Sequence, residues 1–196
     1  EMCFNNVRIV NAGNELKKER LIKEGTKTTF HHRDMPIWAP TLTRVFKNRD
    51  FNILNKNVSG MDTFMLVYQS GLGKIKYLDE ITGTYRQHEG GVFSLISKAK
   101  RHQHNIKTRL SCLPIVQKKF KKKYLGTILK ELIDLKKTDK KMFHSVSYSI
   151  VDELEEVKKS PFDKYLLFMF YFYLIKLPYL YKLTFFRKSI NKALVY

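Results

Sequence analysis

Apolar residues change their spacing twice along this chain, and each change predicts a different kind of structure. Residues 2–10 (MCFNNVRIV) carry the β-favouring Phe4, Val7, Ile9 and Val10, and Asn11-Ala12-Gly13-Asn14 follows as a turn, so a strand is expected there. The charged stretch 15–30 is expected to continue as a second strand and a loop. Residues 38–46 (WAPTLTRVF) read as a strand or a strand entry, with Pro40 holding the residue before it extended. A polar, Asn-rich loop at 47–60 closes this first region.

From Met61 the period becomes helical. Met61, Phe64, Met65, Tyr68 and Leu72 recur near every 3.6 residues, and Gly71 and Gly73 supply the stop. Two short strands are predicted next, Lys74–Asp79 and Ile81–Arg86, ending in a Gly90-Gly91 turn. After Phe93 the pattern predicts only helices, over 94–113, 118–134 and 146–157, the second with an apolar stripe at Leu125, Ile128, Leu129, Leu132 and Ile133. The expected fold class is therefore α/β: a mixed sheet over residues 1–90 flanked by helices, followed by a helical C-terminal region. Three segments are expected, 1–112, a helical extension 113–160, and an aromatic and basic tail 161–196. The apolar run in that tail, Tyr165–Ile175, is too short to span a bilayer, which takes about 20 apolar residues.

Composition sharpens this picture. Hydrophobic residues make up 43% and charged residues 28%, a globular balance. Lys and Arg number 37 against 18 Asp and Glu, a net charge of +19. Such a field draws polyanions in general (nucleic acid, anionic lipid, nucleotide diphosphates) and does not choose among them. Cys3 and Cys112 lack metal-ligand spacing, which points to a reducing compartment without structural zinc. No signal-peptide pattern is seen in residues 1–20, so the expected location is the cytoplasm, peripheral on the inner face of the cell membrane.

Chemistry concentrates in residues 59–94. Asp62 follows Gly60 at a helix start, where exposed N–H groups and the helix dipole stabilise a carboxylate. It reads either as a first-turn acid or as a general base toward a hydroxyl. Alternation places Arg86 and His88 on one side of a strand end, as a solvated end or as a contact for a diphosphate and a divalent metal. Trp38, the sole tryptophan, reads as a partly buried packing residue or as a platform for a sugar ring. His31, His32, His102, His104 and His144 are expected on the surface or in loops.

In their order, these features resemble the C-terminal half of family 2 glycosyltransferases with the GT-A fold. The strand Cys3–Ile9 is similar to the one that follows the family's Asp-X-Asp helix, and Thr41–Phe46 to the next strand. Gly60-Met61-Asp62 is similar to its acidic helix start, Gly73–Glu80 to "G-K-I-x-Y-L-D-E", and Tyr85–Ser94 to "Y-R-x-H-x-G-G-x-x-S". The resemblance covers roughly residues 2–110. It implies an inverting transfer from a nucleotide-sugar donor to a glycan or lipid-linked hydroxyl, with Asp62 as the acceptor-activating base and Mg or Mn assisting. His88 is implied as a metal or diphosphate contact, and Arg86, Trp38 and Thr41 are the candidate substrate-binding residues. Met61 stands where many relatives of the wider fold carry Glu, and no Asp-X-Asp occurs in the 196 residues. The chain is accordingly expected to be the acceptor-side half of such an enzyme, inactive by itself.

Two other readings accompany this one: a basic nucleic-acid-binding protein and a non-catalytic membrane-surface module. The lysines of 118–123 (KKFKKK) are expected on a solvated helix face or against anionic lipid, and without a nucleic-acid module beside them nucleic acid is not the expected partner. The tail at 162–188 interleaves aromatics with Lys and Arg, as an interfacial helix or a core helix does.

Overall fold

The computed structural model describes residues 1–48, 58–89 and 96–153. The chain divides into two compact units, Glu1–Ser97 and Lys98–Tyr196.

The first unit is built on β1 (Met2–Val10), the strand whose sequence is richest in β-favouring residues. Along one edge it pairs in parallel with β5 (Ile75–Arg86), and along the other it pairs antiparallel with β2 (Leu16–Lys18) and β4 (Val45–Phe46). The two-residue β3 (Thr29–Phe30) lies antiparallel against the outer edge of β5, which makes the sheet mixed. A parallel pair needs a long crossover, and the stretch between β1 and β5 contains α1 (Met61–Leu72). Phe4, Val7, Ile75, Tyr77, Phe64, Leu66 and Val67 are buried, each worth roughly 1.5–3 kcal/mol of apolar transfer when large. Phe4 stacks on Tyr77 at 5.3 Å between ring centres and on Phe30 at 6.1 Å.

Two local differences from the expected pattern have physical causes. One continuous strand replaces the two predicted at 74–79 and 81–86. Asn5 faces Leu78, Asn6 faces Ile81 and Val7 faces Gly83, so Asp79, Glu80 and Thr82 have no opposite residue on β1. This bulge absorbs the acidic pair that breaks the alternation. Residues 41–43 form a 3₁₀ turn rather than a strand, leaving only Val45–Phe46 in the sheet. The Thr43 hydroxyl accepts the Asn5 N–H at 3.2 Å and donates to the Asn5 carbonyl at 2.9 Å, replacing the missing strand neighbour.

The second unit contains α2 (Lys98–Cys112), α3 (Lys121–Thr138) and α4 (Lys140–Glu153). The boundary expected at 112 therefore falls after α2, whereas α2 groups with the helices that follow. Its core is the predicted stripe of α3 with Ile106, Leu110, Leu135, Phe143 and Val146. Helix α4 begins at Lys140 rather than 146, because Asp139 Oδ1 accepts the Met142 N–H at 2.9 Å and caps it. Glu131 ties α3 to α2, accepting from His102 at 2.6 Å, Asn105 at 3.3 Å and Arg109 at 2.7 Å. His102 is thus paired with an acid on a helix, against the expectation of a surface or loop residue, and His32 lies in a connecting 3₁₀ turn but is buried there. Cys3 and Cys112 form no disulfide with each other. Among the described residues no helix is long and apolar enough to cross a membrane. The expected Gly90-Gly91 turn, Ser94 and the tail 161–196 lie outside the described residues.

Candidate functional site

Gly60 takes the left-handed conformation (φ 66°) that suits a residue without a β-carbon, and its carbonyl accepts the N–H groups of Thr63 and Phe64 at 3.0 Å. This places Asp62 in the first turn of α1 with its side chain exposed. The Asp62 backbone is held by Arg44, whose Nη1 donates to the Asp62 carbonyl at 2.6 Å while Nη2 donates to the Ala39 carbonyl at 2.6 Å. One guanidinium therefore ties the segment beside Trp38 to the start of α1. Burial pulls the Arg44 value below the ordinary one and the Asp62 charge opposes this, leaving it a cation at neutral pH.

Trp38 is 63% exposed, which overturns the packing reading of this residue. Leu42 and Met61 are also exposed, and Thr41 is exposed on the 3₁₀ turn. Leu42 and Thr43 lie against Gly83 of β5: a Cβ there would run into the Leu42 side chain, meet Thr43 Cγ2 at 3.1 Å and meet Val7 Cγ1 at 3.2 Å. Arg44 is the residue that sequence reasoning missed. No spacing marks an arginine that bonds two backbone carbonyls.

Arg86 and His88 stand where β5 leaves the sheet, fixed by a 2.8 Å bond from the Gln87 N–H to the Val10 carbonyl. They line one open concavity of about 610 Å³ with Ala12 and Thr84. His88 also lines a second, of about 430 Å³, with Lys17, Glu89 and the Asn11–Gly13 turn. Asp62 lines neither. Thr43, which anchors the Arg44 segment, is bonded at Asn5, whereas Arg86 pairs with Val10. Five residues of β1, roughly 17 Å at the usual strand rise, separate those levels. Asp62 and His88, which the resemblance assigns to one reaction, share no concavity among the described residues.

Two further polar groups are structural. Asn6 is fully buried and donates to the Ile22 carbonyl at 2.8 Å and to the Tyr77 hydroxyl at 2.9 Å, and Tyr77 donates to Asp79 at 2.6 Å. Arg20 pairs with Asp79 from the loop after β2. Burial, then the bond to Asp79, pushes the Tyr77 phenol up to about 12, so it acts as a donor and not as a nucleophile. Ser70 Oγ lies 2.7 Å from the Val67 carbonyl, to which it donates in the helix, and 2.8 Å from His32 Nδ1, a pairing whose direction the His32 tautomer sets.

The metal that the resemblance implies asks for several oxygen donors. His88 shares its concavity with Glu89, and among the described residues no group of three or more His, Cys, Asp or Glu side chains converges. These residues do not by themselves fit a Mg or Mn centre. Compared with protein-family models, with curated proteins and with solved structures, the chain matches none. The fold it shares with the expectation is the coarser one, a mixed sheet with helices.

Proposed function

We propose that the chain is the acceptor-binding half of a glycosyltransferase resembling family 2, binding a glycan or lipid-linked sugar at Trp38 and Asp62. In this reading a sugar ring stacks on the Trp38 indole, and the hydroxyl to be glycosylated donates to Asp62, which takes its proton as the new bond forms. Thr41, exposed near Trp38, is assigned to the acceptor; Arg86 and His88, five β1 residues away from this site, have no part in the transfer step. By itself the chain binds acceptor and does not turn donor over. The observation that carries the reading is the Arg44 bridge, which couples an exposed carboxylate at a helix's positive end to the segment beside an exposed aromatic ring.

Because Trp38 is the only tryptophan, its emission reports directly on acceptor binding. Titration with a panel of oligosaccharides and lipid-linked glycans is expected to shift that emission for at least one member, and calorimetry on Trp38→Ala to lose the same binding. With a nucleotide-binding half supplied, Asp62→Asn is expected to abolish nucleotide release while leaving the emission shift intact. A panel without any response in emission or heat, or full turnover by Asp62→Asn, refutes the reading.

A further inference from the structure

The helical unit is basic at both ends: Lys118, Lys119 and Lys121–Lys123 lie where α2 gives way to α3, and a second group lies at the opposite end. Helices α2 and α3 run antiparallel, since His102 meets Glu131 while Arg109 reaches back to Thr127, and α4 folds back from α3 at Asp139. The start of α2, the end of α3 and the start of α4 therefore share an end. It holds Lys98, Lys100 and Arg101 from α2, Lys136 and Lys137 from α3, and Lys140 and Lys141 from α4, all exposed except the half-buried Lys136. Among the described residues Asp134 pairs with Lys137 at 3.1 Å, and Asp139 caps α4. Burial, and to a smaller extent the Lys140 ammonium, pulls Lys136 below the ordinary lysine value. Neither α2 nor α4 has an acid in its first turn, although the positive end of a helix disfavours cations. Helix stability accounts for Lys136 and Lys137 in the last turn of α3 but not for the cations that open α2 and α4, whereas an anionic partner accounts for those.

We infer that this end of the helical unit docks on a bilayer surface rich in anionic phospholipid. Six of the seven cations are lysines, flexible point charges suited to mobile headgroups rather than to the forked recognition that arginine gives. Single-stranded nucleic acid would need aromatic platforms for its bases. The large exposed aromatics among the described residues, Trp38, Phe46 and Tyr85, all belong to the first unit. The inference is independent of the glycosyl-transfer reading.

The test is co-sedimentation of the full chain with vesicles of neutral phosphatidylcholine, with and without about 30% phosphatidylglycerol. Binding is expected only to the anionic vesicles, and is expected to fall as salt rises from 0.1 M toward 1 M, where screening shortens to about 3 Å. Lys140→Gln with Lys141→Gln is expected to weaken partitioning about 25-fold, at about 5-fold per lysine, while Lys23→Gln with Lys74→Gln, an equal charge loss in the first unit, changes it about 2-fold or less. Circular dichroism checks the fold, and Lys98→Gln with Lys137→Gln probes the same surface should the first pair unfold. Equal loss from the two locations, equal binding to neutral vesicles, or tighter binding to a single-stranded oligonucleotide at the same phosphate concentration overturns the inference.

Discussion

Replacing Arg44 by Met removes the bridge between Trp38's segment and α1 while roughly keeping side-chain volume. The part-buried bond to the Ala39 carbonyl is charge-assisted and contributes about 1.5–3 kcal/mol, whereas the exposed bond to the Asp62 carbonyl contributes about 0.5 kcal/mol. Arg44 Nε is buried without a hydrogen-bond partner, so deleting it returns about 1 kcal/mol. The expected net loss is about 1–3 kcal/mol, confined to the first unit. Urea unfolding followed by Trp38 emission reads that unit alone, since the sole tryptophan lies within it. Arg44→Lys is expected to lose nearly as much, because one ammonium does not span two carbonyls as a planar fork does. A loss under about 0.5 kcal/mol, with the emission of the folded protein unchanged, would show that the bridge holds neither the segment nor the helix start.

Three further outcomes follow from packing and charge. Gly83→Val is expected to cost about 1–3 kcal/mol by pushing into Leu42, Thr43 and Val7, and Leu42→Ala to restore part of it, read in the same urea assay. The bond from the Tyr77 hydroxyl, and then the Arg20 charge, hold the Asp79 carboxyl below its ordinary value. A depressed folded value means stability present above the unfolded value of about 3.9 and lost as pH falls through the folded one, so the gap in urea midpoint between the natural chain and Asp79→Asn should hold from about pH 7 to 5 and close toward about pH 3. A gap that stays constant throughout argues against that pairing. Glu131→Gln leaves Arg109 and His102 short of their acid and is expected to destabilise the helical unit by about 2–4 kcal/mol in thermal unfolding followed at 222 nm; no change would mean that the cluster is solvated.

The regular elements were legible because their residues obey one period. Strand β1 and helix α1 form over the residues predicted, and the α3 stripe is the buried one. The sequence misled where a single side chain substitutes for a backbone partner. Thr43 stands in for a strand neighbour, Asp139 starts α4 early, and the bulge joins two strands that the Asp79-Glu80 pair seemed to divide. For the candidate site, the exposure of Asp62 and the shared concavity of Arg86 and His88 were readable from a helix start and from alternation. The separation between these two groups was not. It depends on which residue of β1 each segment bonds, and register is a long-range property that local spacing does not carry.

The bulge in β5 also bears on how this molecule meets copies of itself. Among the described residues β3 covers the outer edge of β5 only as far as Tyr77, whose N–H reaches the Thr28 carbonyl at 2.8 Å. An open strand edge is a template on which foreign strands can add. Here the three displaced residues throw its donors and acceptors out of step, and two of them, Asp79 and Glu80, set exposed carboxylates beside the gap. A second molecule arriving edge to edge would meet a mismatched ladder, so this margin of the sheet is a poor seed for fibre growth.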